Sequence, residues 1–211
     1  MGETMQHILN ASIVQRLMAA LVAILLASGA TIALAGCTSN DESAIRGGIA
    51  EQLDLLKNPT KDNIATIIAT SSNSAFLSTL ETYGVDKYEY YQHVLRGFDY
   101  SIGKIEVSGD TATAEVAVTN LNVKNVMEET MNRLKSDPES ASKLAEINQS
   151  EGHAAMMRYV FSALFEALDA VTESTTTDVT LKLTKNGNKW SIDEDSETVL
   201  SEAIYGNSIQ I

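Results

Sequence analysis

Between residues 17 and 36 the chain has no charged side chain, and after Cys37 the pattern changes to short apolar stripes at helical spacing, separated by polar breaks. Ile49, Leu53 and Leu56 predict a helix that Asn58-Pro59 stops. Thr60 is placed to cap a second, carrying Ile64, Ile67 and Ile68. Phe76, Leu80 and Tyr83 predict a third after Ser74, closed by Gly84. Asp86 is placed to cap a fourth, with Tyr88, Tyr91 and Leu95 on one face, Tyr90 outward and Gly97 at its end. The period then shortens to two. Tyr100 and Ile102 alternate, Gly103-Lys104 breaks the phase, and Ile105 and Val107 resume it, which predicts a bulged strand. After the turn Ser108-Gly109-Asp110, Thr111 to Asn120 sets Ala112, Ala114, Val116 and Val118 against threonine and glutamate, so the pair predicts a hairpin with one apolar face.

Residues 123–172 return to helical spacing. Val126, Met127 and Leu134 share one segment, Pro138 opens another in its first turn, and Ser150-Glu151-Gly152 is a break. Met156, Met157, Val160, Phe161, Leu164, Leu168 and Val171 then make the most apolar helix after Cys37, the expected central packing helix. A second hairpin follows: Val179, Leu181 and Leu183 alternate with Thr180, Lys182 and Thr184, Asn186-Gly187 turns the chain, and Trp190 and Ile192 return. Val199, Leu200, Ala203 and Ile204 predict a last helix, ending at Gly206. The fold class is α+β: a curved antiparallel sheet of about four strands on several helices, with a helical insertion between two hairpins and an N-terminal signal helix before them.

Cys37 is the only cysteine, and it stands where the uncharged run gives way to Thr38-Ser39-Asn40-Asp41-Glu42. Arg16 supplies the positive start of a secretory signal, and Ala33, Ala35 and Gly36 the small residues that a peptidase groove admits. An uncleaved anchor is the alternative, because a run of this length spans roughly 30 Å of hydrocarbon as a helix. An ordinary signal peptide followed by a structural cysteine is another. Leu34-Ala35-Gly36-Cys37 resembles the lipobox of bacterial lipoproteins. That resemblance implies acylation of Cys37, removal of residues 1–36, a tether over 37–43 and a single domain over 44–211. It places the protein on the outer face of the cytoplasmic membrane, held by its lipid.

The element order, with Val118-Thr119-Asn120 closing the first hairpin and Lys189-Trp190-Ser191-Ile192-Asp193 closing the second, resembles uncharacterised Gram-positive surface lipoproteins. Their domain is of the nuclear-transport-factor-like or cystatin-like kind. The resemblance implies a cone in which the sheet wraps helices. The segment between the hairpins is longer than the usual connection of that fold.

The net charge is −13, and the leader contributes only Glu3 and Arg16 to it, so the domain is equally acidic. Nucleic acid is repelled by such a surface. With no second cysteine there is neither a disulfide framework nor a thiolate metal site. Asp193-Glu194-Asp195-Ser196-Glu197 imitates the start of a calcium loop, but Thr198 and Ile204 stand where glycine and glutamate are needed, and acids there suit the helix dipole. No metal and no cofactor is expected. Tyr83, Tyr88, Tyr90, Tyr91 and Tyr100 are five of the seven tyrosines, and among them Tyr88, Tyr90 and Tyr91 are the candidates for a ligand contact. His93, Asp99 and Tyr100 are the candidates for acid–base chemistry. These features point to a non-catalytic binding or interaction module of the cell envelope, whose partner is a small ligand or another envelope protein. The alternative is a small cavity enzyme of the isomerase or hydrolase type.

Overall fold

The computed structural model describes residues 32–33, 39–70 and 74–205. Among them are eight helices and an open antiparallel sheet of four main strands. In chain order the elements are β1 (Ile32–Ala33), α1 (Ser39–Lys57), α2 (Lys61–Thr70), α3 (Ser74–Tyr83), α4 (Lys87–Val94), β2 (Asp99–Ser108) and β3 (Thr111–Asn120). There follow α5 (Val123–Ser136), α6 (Pro138–Ser150), α7 (His153–Ala170), β4 (Thr175–Asn186), β5 (Lys189–Ile192) and α8 (Glu194–Ile204). The sheet order is β1-β5-β4-β3-β2. The expected signal helix and Cys37 lie outside the described residues. Ile32–Ala33, within the expected leader, forms a two-residue edge strand on β5, with Ile32 opposite Trp190 and Ala33 opposite Lys189.

Both hairpins turn on two residues with glycine first. Gly109 (φ 62°) and Gly187 (φ 64°) take the left-handed backbone, a region that costs residues with a Cβ. In the second hairpin the positive φ falls on Gly187 alone, and Asn186 belongs to the strand. The bulge at Gly103-Lys104 is present, since the register of β2 on β3 shifts between Ile102 and Ile105. Ala112, Ala114, Val116 and Val118 are buried, as are Val179, Leu181 and Leu183 beside them. The opposite sheet face stays wet. It carries Ser101, Thr113, Glu115, Ala117, Thr119, Asp178, Thr180 and Lys182.

Two helices, α1 and α8, cover the apolar face of the sheet. The segment read as a tether is helical from Ser39, with Asp41 and Ala44 already buried. A tether would need a polar, unpacked sequence; here Asp41, Ile45, Ile49, Leu53 and Leu56 make one continuous buried stripe. Arg46 on the same helix donates to the carbonyls of Ile102 (2.7 Å) and Gly103 (2.9 Å), so α1 is fastened to the bulge of β2.

Two runs of helices meet the sheet at one end. Helices α2–α4 lead into Asp99 of β2, while α5–α7 depart after Asn120 of β3 and return at Thr175 of β4. We call this the helical end and the other, with its two tight turns, the hairpin end. As expected, α7 buries Met156, Met157, Val160, Phe161, Leu164 and Leu168, but its neighbours are the helices α3, α4, α5 and α6 rather than the sheet. Val171 is its half-exposed cap.

Candidate functional site

At the hairpin end the first turn of α1 delivers Asp41 to the junction of β4 and β5. Lys185 Nζ donates to both carboxylate oxygens at 2.9 Å, and Trp190 Nε1 donates to Oδ1 at 3.3 Å. The ammonium also lies 5.4 Å from the centre of the Trp190 ring. Trp190 is fully buried and Asp41 is 5 % exposed. The hydrogen bond from Lys185 holds the Asp41 carboxyl below the usual carboxylate range, against the opposing effect of burial, with Trp190 helping. Sequence reading missed this triad because its members lie far apart in the chain. The usable signal was the only tryptophan and a lysine, Lys185, flanking the Gly187 turn, facing an acid in a helix that opens just after Cys37.

The acid–base candidates do not assemble. His93 Nδ1 lies 2.8 Å from Asp169 Oδ1, and its ring stacks on Phe165 with centroids 4.4 Å apart. Arg96 donates to the carbonyls of Leu168 and Val171, both at 2.6 Å, supplying at the C-terminus of α7 a cation that its own last turn lacks. Asp99 is paired with Lys57 at 2.7 Å, which is the main reason its carboxyl titrates low. Tyr100 donates to Asp54 at 2.8 Å; burial first, then that carboxylate, pushes its hydroxyl up to about 12. His93 is thus committed to Asp169, away from Asp99 and Tyr100, which stay together beside Lys57, whose Nζ also lies 5.8 Å from the centre of the Tyr100 ring.

The tyrosines are distributed otherwise than the helical period suggests. Tyr90, expected outward, is fully buried edge-to-face on Phe76 and Phe161, whereas Tyr88, expected in the core, is half-buried. Tyr91 is buried as expected. The reason is that α4 is packed by α2, α3 and α7 together, so its buried arc is wider than one stripe and rotates to Tyr90, Tyr91 and Val94. Burial raises the Tyr90 and Tyr91 hydroxyls beyond their ordinary range, and both stay neutral at any physiological pH.

The acidic stretch opens α8. Asp193 Oδ1 accepts from Thr184 Oγ1 at 3.0 Å, and Ser196 Oγ accepts from the Lys182 amide at 2.9 Å, so the stretch fastens α8 to β4. Among the described residues no group of three or more histidine, cysteine, aspartate or glutamate side chains is arranged to hold a metal ion.

The wet sheet face carries a groove of about 410 Å³ lined by Ser101, Gly103, Glu115, Ala117, Asp178 and Thr180. It opens where the bulge leaves Gly103: a Cβ there would sit 3.3 Å from Glu115 Cβ. Its lining combines Gly103 and Ala117 with the carboxylates of Glu115 and Asp178 and the hydroxyls of Ser101 and Thr180. Such a lining fits a polar or cationic group in an extended chain. No reading of the sequence joined these residues, although Gly103 marked the bulge that creates the groove.

Compared with protein-family models, with curated proteins and with solved structures, the chain matches none.

Proposed function

We propose that this protein is a lipid-anchored, extracytoplasmic binding module of a bacterial envelope, acylated on Cys37 and released from residues 1–36. The observation that carries the reading is the position of Cys37: the only thiol follows Leu34-Ala35-Gly36 and precedes by two residues the helix that begins the folded body. Two acyl chains on that sulfur are about what stable anchoring takes. Among the described residues no helix is long and apolar enough to cross a membrane. The groove on the wet sheet face supports the binding half, with a small polar ligand or an extended segment of an envelope protein as occupant. The antiparallel order and the helix α1 laid across β2 support a domain of the nuclear-transport-factor-like kind.

Metabolic labelling with palmitate tests the anchor. The native chain takes up label and sediments with membranes, while Cys37→Ala takes up none and either stays as precursor or leaves the cell. Unchanged labelling of Cys37→Ala refutes the proposal.

A second reading, a small hydrolase or isomerase, is favoured by the carboxylate of Asp169 at the His93 ring, which is how a general base is oriented. It requires a substrate-sized recess at His93 Nε2, and turnover that His93→Ala abolishes.

A further inference from the structure

Acylation of Cys37 does more than attach the domain: combined with the fold it sets how the domain stands. We infer that the hairpin end rests on the bilayer surface and that α1 is a rigid post carrying the helical end, with His93, Asp169 and Arg96, away from it. This rests on the lipid anchor proposed above.

Two observations carry it. First, two Cα steps separate Cys37 from Ser39, at most about 7 Å of chain. The acyl chains lie in hydrocarbon, so the sulfur sits at headgroup level and α1 starts there. Secondly, the start of α1 is locked to the sheet by Asp41 on Lys185 and Trp190, and again by Arg46 on the bulge of β2. The start of α1 is therefore held against the sheet, and the 19 residues of α1 run about 28 Å from the hairpin end toward Asp99, where Lys57 pairs.

The hairpin end carries both signs: Lys182–Lys189 holds three lysines and no acid, while Asp110 of the first turn and Asp193-Glu194-Asp195 at the start of α8 lie at the same end. An acidic body is repelled by anionic headgroups, so the short link from Cys37, and not charge, sets the orientation.

The test uses the full chain processed in a host cell and purified with its lipid. Because the only cysteine is consumed by acylation, single reporters can be introduced cleanly: Asn188→Cys at the hairpin tip, and Glu173→Cys at the helical end between α7 and β4. Each is given a fluorophore and reconstituted in phosphatidylcholine–phosphatidylglycerol vesicles containing a lipid with a nitroxide on its headgroup. The expected result is quenching several-fold stronger at residue 188 than at 173. A flexible Gly/Ser insert of about ten residues between Thr38 and Ser39, reaching roughly 17 Å, should level the two. Equal or inverted quenching in palmitate-labelled protein without the insert overturns the orientation alone. Protein that carries no palmitate and does not bind vesicles overturns the anchor, and this inference with it.

Discussion

The hairpin end and the helical end are both fastened by charged pairs, and the pairs differ in how much water reaches them. At the hairpin end Lys185 and Asp41 meet with side chains 18 % and 7 % exposed. At the helical end His93 and Asp169 are 20 % and 51 % exposed, and Lys57 and Asp99 are 45 % and 58 % exposed. Distances hardly separate the two groups, since all three contacts fall between 2.7 and 2.9 Å. Exposure decides their weight. An open pair is worth about 0–1 kcal/mol, because water competes for both charges, whereas breaking a buried pair strands a charge without solvent. The hairpin end is accordingly fixed in one geometry, and the helical end is free to exchange its partners with solvent or ligand.

The largest effect expected from this contrast is that of Trp190→Ala. The ring is fully buried under the start of α1, and removing it leaves a cavity and takes away one of the two donors to Asp41 Oδ1. A loss of about 3–5 kcal/mol follows from large-to-small substitution in a core. Denaturant unfolding should show it as a lower midpoint with an unchanged slope. A loss under about 1 kcal/mol would mean that the hairpin end is no more firmly fastened than the helical end.

The contrast also explains what the sequence discloses. Alternation places the strands, the bulge at Gly103 and both turns, because each is a local matter of period two and of glycine backbone. The buried stripe of α1 is readable from Ile49 onward but not its first turn, since Asp41 looks like a solvated acid until Lys185 and Trp190, far along the chain, are folded against it. Tyr90 shows a second limit. On a helix of eight residues, three packing neighbours rotate the buried face, and a single apolar stripe cannot report them. His93 was singled out from its type alone. Its partner Asp169 lies on another helix, beyond the reach of any spacing rule. The groove by Glu115 and Asp178 depends on register between β3 and β4, which alternation leaves undetermined by two-residue steps.

A smaller effect is expected from Asp41→Asn. The folded-state carboxyl titrates below its unfolded value, so the stability it contributes is complete above about pH 4 and is lost as pH falls through the lowered folded value. Thermal melts from neutral pH downward should therefore show Asp41→Asn several degrees below the native chain near pH 7, with the gap closing in acid. Adding Lys185→Met removes the stranded ammonium and should recover most of the loss at neutral pH. An equal gap at every pH would place the effect of Asp41 in packing instead of in its charge.

Asp169→Asn should give the smallest change, under about 1 kcal/mol, because its partners His93 and Arg96 keep access to water. Arg96 still holds the carbonyls of Leu168 and Val171, and Phe165 still covers one face of the His93 ring, so neither side chain depends on Asp169 for its position. Salt separates this pair from the one at the hairpin end. At about 1 M the screening length shrinks to roughly 3 Å, which should erase the difference between native and Asp169→Asn chains while leaving that of Asp41→Asn. A loss from Asp169→Asn that is both large and indifferent to salt would mean that the carboxylate is shielded in solution, as a base-orienting group in an enzyme must be, and would shift the weight from the binding module toward the hydrolase or isomerase reading.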